Sequence, residues 1–381
     1  MLSNDKIYTI CGLQVSAKKV IIKWAVWGGS LRCKIYAFFE RLERKMSGRI
    51  KIYAGSSGVK FANRICAYLG ERRGDMFTKR FSDGNIFVRV EESVRNQDVF
   101  IVQPIAKDPN NEFTELLFMI DAFKRASANS VTAIIPYYGY AKGDKKDEPR
   151  TSIRGRVCAD CMEVVGVDRV VTMDLHSPQV QGFFSRPVDH LYGQSLLCNY
   201  ARHLGIVNDD LVVVSPDAGF AKNARGFAAE LGCASAIGDK ARTDHTENAK
   251  VLDIIGEVEN KNCLIVDDFT ISGGTLCDVA KGLKERGAKD IYAFLSHVVL
   301  SESGVKKIED SPIKLLVSTD TVDCPEIENS SKIKIISAAP LFARVIERIH
   351  EHESISPVFE ESNFTPKFTN SSFDPITKLD K

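Results

Sequence analysis

Leu264-Ile-Val-Asp-Asp-Phe-Thr-Ile-Ser-Gly-Gly-Thr275 decides how this sequence is read. The run Asn262-Cys-Leu-Ile-Val is apolar and short, which predicts a strand buried on both faces. Two adjacent carboxylates, Asp267 and Asp268, end the run, and small residues then open a helix predicted over Thr275–Arg286 and stopped by Gly287. A turn of this kind aims backbone N–H groups at one spot, where the helix dipole also favours an anion. Gly273 and Gly274 let the backbone approach a ligand closely, while Ser272 and Thr275 add hydroxyl donors. Asp267 and Asp268 are placed to accept hydrogen bonds from sugar hydroxyls. A phosphate bound beside a polyol describes a pentose 5-phosphate. The bland alternative, a helix start with incidental glycines, does not explain the acid pair.

Working outward, the strand–helix theme repeats. Ile291-Tyr-Ala-Phe-Leu is the returning strand, Val99-Phe-Ile-Val is another apolar run, and Thr132–Ile135 is a strand stopped by Pro136. Between the latter two, Phe113, Leu116, Leu117, Ile120 and Phe123 recur at helical spacing, with Asn110 or Asn111 placed as the cap. Alternation of this kind predicts an α/β fold with mostly parallel sheets flanked by helices. At 381 residues the chain has room for two domains of ordinary size.

Residues 1–45 read differently, being basic and carrying both tryptophans, Trp24 and Trp27, without sustained alternation. They are expected to be a dispensable extension, with Met46 opening the ordered protein, or else a targeting peptide. Residues 341–354 are expected to form a helix packing on the first domain, and 355–381, polar with isolated Phe, a disordered tail.

A formal charge of +1 gives no electrostatic footprint for nucleic acid, so any anion site must be local. Val20–Leu31 is too short, and too interrupted by Lys23 and a Gly-Gly, to span a membrane. Ten cysteines are scattered, and only Cys158 and Cys161 form a CxxC, inside the helical run Ile153–Val165. That pattern predicts reduced thiols in a cytoplasmic protein rather than a zinc or redox site.

The quoted loop resembles the phosphoribosyl-diphosphate-binding motif shared by type I phosphoribosyltransferases and ribose-phosphate diphosphokinases. Four further segments decide between them. Arg80-Phe-Ser-Asp-Gly84, Ile135-Pro-Tyr-Tyr-Gly-Tyr140, Met173-Asp-Leu-His-Ser-Pro-Gln-Val-Gln-Gly-Phe-Phe184 and Val214-Ser-Pro-Asp217 resemble diphosphokinase signatures, in that family's order and spacing. The resemblance runs from about Arg49 to about Phe359.

It implies two phosphoribosyltransferase-like domains, at 46–191 and 192–340, and a homo-oligomer built on hexamers with ATP bound between subunits. The implied reaction moves the diphosphoryl group of ATP to ribose 5-phosphate with Mg2+, and inorganic phosphate and ADP are implied effectors. By the same resemblance His176 and Asp217 are metal ligands, and Phe81, Asp83, Asn85, Lys142, Asp144 and His176 contact ATP. Lys240 and Arg242 would close over the transferring group from a flexible loop ahead of Thr243–Lys250. Asn85 stands where the family commonly has Glu, and Lys142-Gly143 where it has Arg-Gln, so the nucleotide pocket departs from the pattern. Two other readings stay open: a non-catalytic regulatory homologue, and a phosphoribosyltransferase, which would release pyrophosphate in a base-dependent way and form no AMP.

Overall fold

The structure, a computed structural model, describes residues 7–10, 13–16, 49–241 and 251–360. Met1–Arg49 and Ile50–Lys381 are separate compact units. Within the first, β1 (Ile7–Ile10) and β2 (Leu13–Ser16) pair antiparallel, with Ile7 opposite Ser16. The rest of the expected extension lies outside the described residues.

The second unit opens with β3 (Ile50–Ala54) and α1 (Val59–Leu69), followed by a hairpin of β4 (Met76–Arg80) and β5 (Ile86–Val90). Next come β6 (Asp98–Val102), α2 (Pro109–Arg125), β7 (Ser130–Ile135), α3 (Arg154–Val164), β8 (Arg169–Met173) and β9 (Val188–Leu191). Strands β3, β6, β7, β8 and β9 form one parallel sheet in that order.

The chain continues through α4 (Gln194–His203), β10 (Leu211–Ser215), α5 (Ala221–Leu231), β11 (Ala234–Ala241), β12 (Val251–Ile255) and β13 (Asn262–Thr270). It closes with α6 (Gly274–Glu285), β14 (Ile291–Val298), α7 (Glu302–Glu309), β15 (Ile313–Thr319), β16 (Ile333–Ile336), α8 (Ala339–His350) and α9 (Ser356–Glu360). The second sheet runs β12-β11-β10-β13-β14-β15-β16 and is parallel except where β12 meets β11.

Period-two alternation explains the layering. Ile52, Phe100 and Val102 of the first sheet and Val213, Leu264 and Phe294 of the second share one core with α1, α4, α5 and α8. Their strand neighbours, such as Val99 and Ile101 or Val212 and Ile265, face outward onto α2 and α3 or onto α6. Both sheets are therefore covered on both faces, which is why their strands read as unbroken apolar runs. Helix α8 returns to α1: Phe342 meets Phe61 edge-on at 5.2 Å, and the His350 ring meets the Asp98 carboxylate at 2.8 Å.

The structure departs from the expected local detail in three places. Asp108, not Asn110 or Asn111, precedes α2, because Pro109 supplies the first helical φ, and Asn111 instead donates to the Asp108 carboxylate. Met119 replaces Leu117 in its fully buried stripe. Ser356–Glu360 is helical rather than part of a disordered tail, because Val358 joins the shared core; residues 361–381 lie outside the described residues.

Candidate active site at the carboxyl ends of both sheets

In parallel sheets the strand ends carry the loops free to bind ligands. Here the carboxyl ends of β7 and β8 from one sheet meet those of β13, β14 and β15 from the other. The junction is tied by buried polar contacts. Gly193 N–H donates to the Asp174 carboxylate at 2.8 Å, and Ser296 Oγ donates to the same oxygen. His297 is fully buried between Met173 O at 3.0 Å and Thr321 Oγ1 at 2.7 Å. On its rim Arg64 pairs with Asp320 at 2.6 Å.

The small-residue loop expected to bind a sugar phosphate ends β13 and opens α6. Gly273 sits at the helix start with φ of 71°, a left-handed conformation that glycine adopts freely, and as the cap residue it offers no side chain of its own. A Cβ there would lie 3.3 Å from Ile308 and 3.4 Å from Gly304 O. Thr270 Oγ1 accepts from Gly273 N–H at 3.2 Å, and Ser272 Oγ from Gly274 N–H at 3.4 Å, so hydroxyls line the turn. Upstream, Asp267 Oδ1 accepts from Asp268 N–H at 3.0 Å. Burial, then the adjacent Asp268 carboxylate, push Asp267 far above the usual carboxylate range, with Asp217 adding its charge.

Asp268 connects the sheets. Its Oδ2 meets His176 Nδ1 at 2.7 Å, while Oδ1 accepts from Phe269 N–H at 2.8 Å. The bond to Asp268 raises the His176 pKa above its ordinary value, against the opposing effect of burial. His176 reaches this place because it follows β8 by three residues and the intervening turn is fixed. Asp174 takes a φ of 40°, and Leu175 N–H donates to His190 Nε2 at 2.9 Å. Lys142 and Asp144 arrive from the loop after β7. Ser177 Oγ donates to Asp144 at 2.7 Å, and the Lys142 ammonium stands 4.7 Å from the centre of the Phe269 ring.

The junction thus gathers Lys142, Asp144, His176 and Asp268, with Asp267 and the Ser272–Thr275 turn on the same strand and loop. Other expected residues stand apart. Phe81 is 42% exposed and meets Phe87 and Lys79 of its own hairpin. The Asp83 carboxylate accepts from Asn85 N–H at 2.9 Å, which shapes the hairpin tip. No hydrogen bond, ion pair or ring contact of the described residues joins these three to His176 or Asp268. Asp217 is nearer, since its charge acts on Asp267; it is exposed and accepts from Phe220 N–H at 3.1 Å at the start of α5, leaving Oδ2 for another partner. Lys240 lies in β11 opposite Leu252 rather than in a loop, because the strand begun at Ala234 continues to Ala241. Arg242 lies outside the described residues.

Among the described residues no three His, Cys, Asp or Glu side chains form a metal cage. Asp217 Oδ2 and the junction carboxylates are oxygen donors of the kind a hard divalent cation takes, one or two at a time, beside substrate phosphates. The eight cysteines among the described residues form no disulfide, and burial pushes the Cys158 thiol up to about 12. No helix of the described residues is long and apolar enough to cross a membrane.

Sequence reasoning passed over Phe269, Tyr137, Ser177 and Ser296. Phe269 stands inside the deciding motif, yet an aromatic at a strand end reads as core.

Comparison with known proteins bears on the whole of this architecture. Residues 50–166 match the family model described as the N-terminal domain of ribose phosphate pyrophosphokinase, and residues 241–360 the phosphoribosyl synthetase-associated domain. A ribose-phosphate pyrophosphokinase of Caldanaerobacter subterraneus is 46% identical over 317 residues, 83% of this chain and 99% of the relative. One from Chlorobaculum tepidum is 43% identical over 325 residues, 85% of this chain and 99% of the relative. Among solved structures, the phosphoribosylpyrophosphate synthetase from Mycobacterium smegmatis matches with a TM-score of 0.75 and 36% identity, covering 80% of this chain and 99% of that one. Since the likeness takes in both sheets and nearly all of each relative, the chain belongs to the ribose-phosphate pyrophosphokinase family.

Proposed function

We propose that this chain is a ribose-phosphate diphosphokinase that makes 5-phosphoribosyl 1-diphosphate and AMP from ribose 5-phosphate and ATP. The observation that carries the reading is the junction, where a carboxylate of the sugar loop, Asp268, bonds His176 of the other sheet at 2.7 Å. A sugar phosphate on one side and a polyphosphate on the other would meet there.

In this reading the Ser272–Thr275 turn receives the 5-phosphate at the α6 N-terminus. Asp268, already fixed by His176 and Phe269 N–H, accepts from a sugar hydroxyl. Asp267, raised by burial and by its neighbour, can hold a proton and donate it to a second hydroxyl. The sugar 1-hydroxyl oxygen attacks the β-phosphorus of ATP, the bridge to the α-phosphate breaks, and AMP leaves with that bridging oxygen. The hydroxyl proton passes to solvent. Negative charge spreads over phosphoryl oxygens during this step, so fixed cations contribute most. Lys142, Lys240 and Arg242 are the cations assigned to it, and Asp144 orients the His176–Ser177 turn through Ser177.

Magnesium, bound by His176 Nε2 and Asp217, would neutralise charge on the β- and γ-phosphates. Phe81, Asp83 and Asn85 are assigned to the adenine end. The exposed rings of that hairpin support a homo-oligomer, built on hexamers, in which another copy's hairpin completes the pocket. Inorganic phosphate and ADP are the proposed effectors, and the setting is cytoplasmic.

Titration calorimetry tests the sugar half. Ribose 5-phosphate should bind once per chain, ribose should give no heat, and Asp268→Asn should weaken binding about tenfold. Equal heats from ribose and its phosphate would sink the assignment of the turn.

A further inference from the structure

Phe269 follows Asp268 at the end of β13, and its half-buried ring receives three groups from the other sheet. The His176 ring meets it edge-on, centroids 5.4 Å apart at 79°. Tyr137 lies 6.1 Å away and tilted by 56°. The Lys142 ammonium stands 4.7 Å from the ring centroid. Among the described residues no hydrogen bond or ion pair engages that ammonium, and Asp268 acts on it only at longer range.

This arrangement has a chemical consequence. A lysine in a salt bridge must lose its carboxylate before it can take an anion. A lysine resting on a ring face is held in place and keeps its N–H donors for a ligand. The same ring fixes the imidazole edge beside it, so two groups of the nucleotide side are ordered by one residue of the sugar strand.

We propose that Phe269 is a positioning residue for nucleotide binding: its ring holds the Lys142 ammonium and the His176 imidazole ready for the polyphosphate. The inference rests on the nucleotide reading of Lys142 and His176 given above.

Equilibrium binding of ATP with magnesium, and separately of ribose 5-phosphate, should be measured on full-length wild type, Phe269→Leu, Lys142→Met, the double variant and Phe269→Tyr. AMP formation by wild type is recorded alongside. Phe269→Leu should weaken ATP binding about fivefold, the span of one partly desolvated cation–π contact, with sugar affinity unchanged within about twofold. Phe269→Tyr should restore ATP binding. The double variant should bind ATP no worse than Lys142→Met alone, because both changes remove one shared contact. ATP binding by Phe269→Leu equal to wild type would overturn the inference, as would additive losses or equal losses for both ligands. Wild type that binds ATP without forming AMP refutes the reaction instead, and the variant comparison still decides the role of Phe269. Wild type that binds no ATP overturns both.

Discussion

The proposed sugar side and the proposed nucleotide side of this site are built in opposite ways. The sugar side lies on β13, inside the second sheet, with its turn closed by Thr270 and Ser272 and its carboxylates fixed by backbone and by His176. The nucleotide side is divided between the junction, where Lys142, Asp144 and His176 gather, and a two-stranded hairpin whose Phe77, Phe81 and Phe87 are each 42% exposed. A site backed by a central strand is formed by one chain. A site that leaves aromatic rings in solvent waits for something to cover them. On the proposed reading the sugar site is complete within one chain, whereas the hairpin rings are left for a second copy to cover.

The largest effect that would sharpen this contrast concerns Lys240. Lys240→Ala should reduce turnover by roughly 10²–10³, the scale of one transition-state cation or donor, while ribose 5-phosphate affinity and melting temperature stay near wild type. Wild-type rates in that variant would remove β11 from the mechanism.

Gly273→Ala probes the preformed turn. A side chain at that φ costs about 1–2 kcal/mol, so sugar affinity should fall about tenfold with ATP affinity held. Equal loss of both ligands would show that the two sides are not separable.

On the nucleotide side, Phe81→Leu should raise the KM for ATP by about fivefold, the scale of one lost stacking contact, and leave sugar affinity alone. That loss should vanish under conditions that dissociate the proposed oligomer, where ATP binding is expected to be weak already. A KM effect that persists in monomer would contradict completion by a second copy.

The smallest effect is on stability. Burial lowers His190 and His297 to about 4, below the ordinary 6.5, so the unfolded chain takes up their protons first. Their contribution is fully present above about pH 6.5 and is lost as pH falls toward 4. Melting temperature should decline across that window, and His297→Gln should flatten part of the decline. An unchanged slope would mean that His297 is not neutral at the junction.

Much of this was legible in the sequence for a physical reason. Apolar runs such as Leu211–Ser215 are buried on both faces, so they announce parallel strands, and Gly273-Gly274 after an acid pair announces a phosphate turn. What stayed hidden depends on the meeting of the two sheets. Nothing local in Asp268 tells of its bond to His176, 92 residues away, or in Phe269 of the lysine above its ring. Lys240 misled because Gly238-Asp-Lys-Ala-Arg looks like a charged loop, while pairing with β12 makes it strand.

The central claim is that the junction joins a sugar phosphate to the diphosphoryl end of ATP. Phosphorus NMR of the products formed by the purified protein from ATP, ribose 5-phosphate and magnesium, with and without inorganic phosphate, tests it most directly. AMP and a sugar 1-diphosphate should appear in equal amounts. ADP with a sugar bisphosphate, or no nucleotide product under either condition, would contradict it.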